Sequence, residues 1–222
     1  IIKLGKMLRH FYEAEDLLVF GSGYSLALAS YKAMECGKTG MEFAVGIPGS
    51  IGGAVYMNAG AYDGEMQNIV NCVKVMDLQG NERVLTAEEL NFGYRKTSLQ
   101  NSGLIVTEVT LKMPSGNKDE IKSKMDDFSH RRISKQPLEM PSAGSMFKRP
   151  PGYFAGTLID QAGLKGYTVG GAQISTKHAG FVVNVGGATA ADVLQLIKDV
   201  QTKIKAGVGV ELQPEVLVIG EE

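Results

Sequence analysis

The feature that most constrains this chain is a dense group of glycines between residues 46 and 64. Six glycines fall there, at positions 46, 49, 52, 53, 60 and 64. Such a stretch predicts loops and tight turns, because glycine is costly inside helices and strands. Residues without a Cβ let a ligand approach the backbone, and successive N–H groups can surround a pyrophosphate. An ordinary turn-rich loop is the competing interpretation.

Composition narrows the class of protein. The chain has 222 residues, of which 44% are hydrophobic, enough for one large domain or two smaller ones. The net charge of −1 lacks the basic excess of a nucleic-acid binder. With no apolar run of about 18 residues and no secretion leader, we expect no membrane segment and a cytoplasmic location. The two cysteines and three histidines show no metal-ligand spacing, so no metal site is predicted.

The first half of the chain reads as strands with one helix. Strands are predicted at 16–20, 69–77, 83–85 and 104–113, and Ser25 can cap a helix that runs over 26–36. The sequence Pro-Ser-Gly-Asn at 114–117 breaks this pattern. It predicts a domain boundary, with domains at 1–114 and 118–222.

The second half alternates helices and strands. A helix is predicted over 118–134, because Ile121, Met125 and Phe128 fall on one face. A short helix follows at 154–161, then a strand at 181–185. Thr189 caps a last helix that Gly207 should end, and strands at 210–212 and 216–219 should close the chain. The predicted class is α+β.

Smaller motifs carry weaker signals. The sequence Gly21-Ser-Gly23 lacks the third glycine of a dinucleotide fingerprint, so a strand-to-helix turn is its simplest interpretation. The pair Ser145 and Lys148, with Lys38-Thr-Gly40, has the residues of a serine acyl-enzyme but in the wrong order. Three polar residues stand beside turns or strand ends: Arg95, Ser145 and Glu215. Each of them, taken alone, can be interpreted as an ordinary surface or capping residue.

Five segments in register give a more specific signal than any one motif. Together they closely resemble the UDP-N-acetylenolpyruvoylglucosamine reductase family, in the shorter form common in Gram-positive bacteria. The segments are 46–62, 93–95, 141–150, 177–181 and 214–216. The resemblance implies an FAD-binding domain of the PCMH/vanillyl-alcohol-oxidase-like type over 1–114, as its second subdomain. An α+β substrate-binding domain follows over 118–222. It also implies that a further N-terminal segment, with another flavin-phosphate loop, precedes Ile1.

The resemblance implies a reduction in peptidoglycan precursor synthesis. NADPH would reduce bound FAD, and flavin N5 would pass a hydride to C3 of the enolpyruvyl ether of UDP-N-acetylglucosamine. Ser145 would then give a proton to C2, which yields UDP-N-acetylmuramate. Arg95 would stabilise the substrate carboxylate and the negative charge that develops on it. Glu215, protonated by virtue of its burial, would donate a hydrogen bond to that carboxylate.

Binding residues follow from the same resemblance. Contacts to FAD are implied for Ile47, Pro48, Gly49, Ser50, Gly53, Asn58, Gly60, Ala61 and Arg132. Contacts to the UDP-sugar are implied for Tyr94, Lys135 and Arg149. Some relatives have Asn where this chain has Arg149, and an arginine near the flavin where it has Leu217. We expect a monomer.

Two other functions remain open at this level. One is a different flavoprotein of the same fold, such as an oxidase of a hydroxy compound. Oxidation needs a base and not a proton donor to carbon, so Ser145 and Glu215 disfavour it. The other is a sugar-nucleotide-binding module without catalysis.

Overall fold

The computed structural model describes residues 2–220; Ile1, Glu221 and Glu222 lie outside the described part of the chain. The described residues divide into two compact units between Arg131 and Arg132. We call them the N-terminal unit and the C-terminal unit and describe each by itself.

The N-terminal unit is built on an antiparallel sheet. Its elements in chain order are β1 (Phe11–Ala14), β2 (Leu17–Gly21), α1 (Leu26–Glu35), α2 (Ile51–Tyr56), β3 (Gly60–Ala61), β4 (Gly64–Glu65), β5 (Val70–Met76), β6 (Glu82–Thr86) and β7 (Ile105–Lys112). Five of the strands form one sheet in the order β1-β2-β7-β5-β6, and β3 and β4 form a separate hairpin. Phe20, Val73 and Val109 of the large sheet are fully buried against α1 and α2. That core places the glycine-rich segment on one side of the sheet.

A long helix, α3 (Lys118–Lys135), follows the sheet. Its apolar face was predicted correctly, since Ile121, Met125 and Phe128 are buried, and they pack with Val45 of the N-terminal unit. The predicted domain boundary at 114–117 lies before this helix, whereas the division into compact units falls inside it.

The C-terminal unit has a smaller sheet covered by helices. Its elements are β8 (Ser142–Ser145), α4 (Ala155–Gln161), β9 (Thr168–Val169), β10 (Ala172–Ile174), β11 (Phe181–Asn184) and α5 (Ala190–Val208). The strands pair antiparallel in the order β8-β11-β10-β9. A second core contains Ile159, Ile174, Leu196 and Val200. Because β8 is an edge strand beside β11, the residues around Ser145 are positioned by the start of β11.

Three predictions about elements were wrong. Gly52 and Gly53 lie in α2 and not in a turn, because Ser50 caps this helix by accepting a hydrogen bond from the amide of Gly53. Helix α5 passes through Gly207 and ends at Gly209, whose φ of 71° is left-handed.

The strands predicted at 210–212 and 216–219 are the third error, because the described structure has an irregular segment there. Pro214 has no N–H for a sheet ladder, and the segment forms a single bridge, between Phe147 and Pro214. The side chain of Gln201 in α5 donates to the carbonyl of Leu212 at 2.8 Å, which holds the segment against the helix.

Candidate active site

A first group of candidate residues lies in the N-terminal unit, in the glycine-rich segment 46–53, which leads into the start of α2. Two of its amides bind the turn that contains Gly21-Ser-Gly23. The N–H of Ile51 donates to the carbonyl of Tyr24 and the N–H of Gly52 to that of Ser22, both at 2.9 Å. These two amides are therefore used inside the protein and are not presented to a ligand. The Gly21-Ser-Gly23 turn, which suggested no ligand by itself, supports the loop.

The glycines of this segment are accommodated for different structural reasons. A Cβ on Gly52 would lie 2.7 Å from Cβ of Ser22, so close packing requires glycine there. At Gly49, with φ +125°, a Cβ would meet no atom within 4 Å, and at Gly53 it would meet only Ser50 Oγ at 3.4 Å. Gly49 therefore leaves open backbone surface, and Gly53 leaves open space beside the helix, although its amide donates to Ser50 Oγ. Beside the loop, Ser22 Oγ is buried without a hydrogen-bond partner among the described residues. Open backbone and an unsatisfied hydroxyl both fit a ligand rich in phosphate oxygens.

Asn58 connects the segment after α2 to two other parts of the N-terminal unit. Its side chain is 1% exposed, and its backbone φ is +43°. Its Nδ2 donates to Glu65 Oε2 at 3.1 Å and to the carbonyl of Gly93 at 3.0 Å. Its Oδ1 accepts from the amide of Gln67 at 3.0 Å. This one side chain therefore brings the predicted flavin segment 58–61 next to the Gly93-Tyr-Arg95 motif.

Arg95 is placed against the same segment. Its Nη2 donates to the carbonyl of Gly60 at 3.2 Å, and its guanidinium carbon lies 5.2 Å from the centre of the exposed Tyr94 ring. The backbone of Arg95 is left-handed, with φ +53°. A side-chain-bearing residue in this conformation is strained, and such strain is concentrated at functional sites. The structure thus brings together Arg95, Asn58, Gly60 and Tyr94, four of the residues that the sequence indicated.

The hairpin of β3 and β4 is fixed at its tip. Tyr62 and Asp63, at the turn, have φ of +50° and +62°. The ring of Tyr62 stacks on Phe128 of α3 with centroids 4.3 Å apart and planes 10° from parallel. A Cβ on Gly64 would lie 2.6 Å from the ring of Phe43, so glycine is needed there for packing. Gly60 and Ala61 are consequently held on a short, anchored hairpin.

A second group of candidate residues, in the C-terminal unit, contains Ser145 and Glu215. Ser145 is exposed at the end of β8, and its Oγ donates weakly to the carbonyl of Phe147 at 3.4 Å. The amide of Glu215 donates to the carbonyl of Met146 at 2.8 Å. Glu215 is half-buried. Two candidate catalytic residues, distant in sequence, therefore lie on directly hydrogen-bonded segments.

Three of the predicted binding cations also belong to the C-terminal unit. Arg132 and Lys135 lie in the last turn of α3, with Arg132 half-buried and Lys135 exposed. The guanidinium carbon of Arg149 lies 3.9 Å from the centre of the Phe154 ring, a cation–π contact. No group of three or more His, Cys, Asp or Glu side chains within residues 2–220 could hold a metal ion. None of the helices in the described part of the chain is long and apolar enough to cross a membrane.

Sequence reasoning missed two supporting residues. Ser22 gave no signal beyond its place between two glycines. His178 was part of a recognised motif but had no assigned task, and the structure shows its imidazole accepting a backbone hydrogen bond in a half-buried niche. Gly180, two residues later, could have indicated this niche, because glycine often marks a position where another group approaches the backbone closely.

Comparison with known proteins gives two family matches. Residues 136–219 match the model described as UDP-N-acetylenolpyruvoylglucosamine reductase, C-terminal domain. Residues 1–86 match the model described as FAD binding domain.

Several curated relatives carry the name UDP-N-acetylenolpyruvoylglucosamine reductase. The one from Clostridium perfringens (strain SM101 / Type A) is 54% identical over 201 residues, covering 90% of this chain and 66% of the relative. The one from Pediococcus pentosaceus is 51% identical over 205 residues, covering 92% and 68%. The one from Caldanaerobacter subterraneus subsp. tengcongensis is 46% identical over 222 residues, covering 100% and 73%.

Among solved structures, the fold is similar to the crystal structure of UDP-N-acetylenolpyruvylglucosamine reductase (MurB) from Thermus caldophilus. The TM-score is 0.82 at 40% identity, covering 96% of this chain and 76% of that one. The chain thus spans about two thirds to three quarters of the length of the proteins it matches.

Proposed function

Because this chain belongs to the UDP-N-acetylenolpyruvoylglucosamine reductase family, we propose that it carries out the reduction of UDP-N-acetylenolpyruvoylglucosamine to UDP-N-acetylmuramate. The comparisons confirm two predictions from the sequence: the family, and an α+β fold with an FAD-binding domain joined to a second domain. The observation that carries the proposal is the pairing of Ser145 with Glu215 through Met146. A proton donor beside a carboxyl group suits the second half of such a reduction.

FAD would be held by the N-terminal unit. Its phosphates would lie on the open backbone of residues 47–50 and Gly53, and its ring system beside Asn58, Gly60 and Ala61. Arg132 would be a further contact. The open surface at Gly49 and Gly53 and the unsatisfied Ser22 hydroxyl support this assignment. When bound, FAD supplies the hydride, which NADPH would provide to it.

The chain's own residues would manage charge and protons. Arg95 would pair with the substrate carboxylate and stabilise the charge that accumulates there after hydride addition at C3. Ser145 would donate its hydroxyl proton to C2. Glu215 would lie beside the same carboxylate. The arginine needs a fixed direction for this, and its hydrogen bond to the Gly60 carbonyl supports such a role.

The substrate's UDP moiety would be recognised by cations of the second domain, 118–222, with Tyr94 of the first. Lys135 and Arg149 are exposed and can reach phosphate oxygens. The cation–π contact with Phe154 would orient the guanidinium of Arg149. We further propose that the protein works as a monomer in the cytoplasm, in peptidoglycan precursor synthesis.

The decisive test is to replace Ser145 with alanine in the flavin-loaded protein and to follow the two half-reactions by stopped-flow absorbance. We expect flavin reduction by NADPH to stay within about twofold of the wild type. Reoxidation by the enolpyruvyl substrate should slow at least ~100-fold, in the range that general acid–base catalysis contributes. Ser123→Ala, at an exposed position of α3, is the matched control and should leave both rates unchanged. Equal slowing of both half-reactions would show that Ser145 is not the proton donor.

The two other functions make distinct predictions. A yellow preparation with flavin absorbance bands excludes a binding module without catalysis. An oxidase of a hydroxy compound would reduce its flavin with that compound and without NADPH. NADPH consumption that depends on the enolpyruvyl substrate is expected from the reductase alone.

A further inference from the structure

A tight turn in the C-terminal unit, residues 175–180, holds a histidine in a defined orientation. The buried Ser175 accepts hydrogen bonds at its Oγ from the amides of Lys177 and His178, at 3.1 and 3.2 Å. The carbonyl of His178 accepts from the amide of Phe181 at 3.0 Å, which closes the turn just as β11 begins. The backbone around His178 is therefore fixed on both sides.

The imidazole of His178 fills a niche formed by two glycines. A Cβ on Gly180 would lie 3.1 Å from its Cε1, and a Cβ on Gly156 would lie 3.4 Å from the same atom. The ring of Phe181 meets it edge to face, with centroids 4.9 Å apart. The amide of Gly180 donates to Nδ1 of His178 at 3.1 Å. Nδ1 accepts this hydrogen bond, so it carries no proton and the neutral ring is protonated at Nε2.

This turn is joined to Ser145 through the main chain. The carbonyl of Gly180 accepts from the amide of Met146 at 2.8 Å. Phe181 is the direct strand partner of Ser145. The carbonyl of Met146 in turn accepts from the amide of Glu215 at 2.8 Å. A displacement of Gly180 would therefore move the backbone that carries both candidate catalytic residues.

We propose that His178 is a positioning residue for Ser145. Its unprotonated Nδ1 holds the Gly180 amide, which keeps the start of β11 in register with β8 and so fixes the direction of the Ser145 hydroxyl. This inference rests on the function proposed above. His178 itself touches no reacting atom in this role, and its contribution is geometric. Misplacement of a catalytic group by about 1 Å can cost about 100-fold in rate.

The charge state of the ring agrees with this role. Burial lowers the pKa of His178 from its ordinary 6.5; a hydrogen bond with its own backbone opposes this, while the positive charges of Lys165 and Lys135 lower the pKa further. The groups packed directly on the ring, Gly156, Gly180 and Phe181, carry no charge. The neutral ring therefore predominates at pH 7. Protonation would place an N–H on Nδ1 opposite the N–H of Gly180, so the arrangement should be lost as pH falls through the lowered pKa.

The test compares His178→Asn with His178→Leu in the flavin-loaded protein. The Asn Oδ1 can take the place of Nδ1 as an acceptor, whereas Leu fills similar space without one. We expect His178→Leu to slow flavin reoxidation by the enolpyruvyl substrate about 10- to 100-fold, through kcat more than KM. Reduction by NADPH should be unchanged, and His178→Asn should stay within about threefold of the wild type. His130→Leu, at an exposed position of α3, is the control for loss of a histidine.

A second measurement does not depend on catalysis. Nitrogen-15 NMR of the histidine rings should show His178 protonated at Nε2 and not at Nδ1 at pH 7. The proposal is overturned if Nδ1 carries the proton, or if His178→Asn is as slow as His178→Leu while both remain folded by circular dichroism. If the wild type fails to reduce the substrate at all, the proposed function fails, and the NMR result still decides whether the hydrogen bond exists.

Discussion

Four residues with side chains adopt left-handed backbone around one small region of the N-terminal unit: Asn58, Tyr62, Asp63 and Arg95. Tyr62 and Arg95 each cost free energy that glycine would not, on the order of 1–2 kcal/mol, whereas Asn and Asp tolerate this backbone better. Their side chains explain why glycine is absent at two of them: Asn58 makes three hydrogen bonds and Tyr62 stacks on Phe128. This region therefore has the signature of a site whose geometry is held by its surroundings.

Asn58 is the residue whose loss should be most costly there. Asn58→Ala would leave the Gly93 carbonyl and the Gln67 amide without their partner, in a position that also disfavours alanine. We expect the free energy of unfolding to fall by about 2–5 kcal/mol, measured by urea denaturation. Asn101→Ala is the control, because Asn101 is left-handed too, with φ +63°, but exposed. If both variants lost the same amount, backbone conformation alone would account for the effect.

At the scale of elements, hydrophobic periodicity and capping residues predicted helices correctly where the local sequence determines the structure. Ser25 caps α1 by accepting from the amide of Leu28, and the apolar face of α3 is buried as its spacing indicated. The glycine count gave the wrong structure at α2, because the Ser50 cap and the burial of Ile51 and Val55 together stabilise this helix despite the low helix propensity of its glycines. The C-terminal segment 210–219 looked like two strands, but its hydrogen bonds go to a loop and to Gln201 of α5. Such long-range partners leave no local pattern.

The capping box at the start of α5 allows a test of how capping hydrogen bonds stabilise a helix. Thr189 Oγ1 accepts from the amide of Asp192 at 3.1 Å, and Asp192 Oδ2 accepts from the amide of Thr189 at 2.9 Å. We expect Thr189→Ala to lower the free energy of unfolding by about 1 kcal/mol. Because the two hydrogen bonds close one box, Thr189→Ala with Asp192→Ala should cost less than the sum of the single changes. Strict additivity in chemical denaturation would contradict a cooperative box.

Thr202 provides the control for this helix. It is exposed in the middle of α5, and its Oγ1 donates to the carbonyl of Lys198 in the preceding turn. Thr202→Ala removes no cap and introduces a better helix former, so its effect should stay within about 0.5 kcal/mol.

At the scale of the whole molecule, the chain contains two separate principal cores. One includes Phe20, Val73 and Val109, and the other includes Leu196 and Val200. The composition could indicate enough apolar material for two domains, but not which residues belong to which core. The sequence likewise does not reveal which of the candidate site residues lie together in the folded chain. The resemblance selected Ser145 and Glu215, yet the contact of their segments depends on chain folding that no local pattern encodes.

Separate cores predict a local response to a core cavity. Leu196→Ala removes a fully buried side chain of α5 and should cost about 2–5 kcal/mol within its own unit. Hydrogen–deuterium exchange read by mass spectrometry should then show faster exchange in peptides from 132–220, with those from 2–131 unchanged. Val73→Ala should produce the reverse pattern. Equal acceleration everywhere would mean that the chain unfolds as a single cooperative block.

The hydrogen bonds at Met146 have a consequence for how this family can change. The C=O group of Met146, the residue after Ser145, accepts the hydrogen bond from the N–H of Glu215, and the Met146 side chain takes no part in this link. Every amino acid offers the C=O group at position 146, and every one except proline offers the N–H group at position 215. Evolution can therefore exchange Met146 for other apolar residues without separating the pair, and only proline at 215, which lacks the donating N–H, would remove this hydrogen bond. The link between these two proposed catalytic residues lies in the main chain, where aligned side chains leave no record of it.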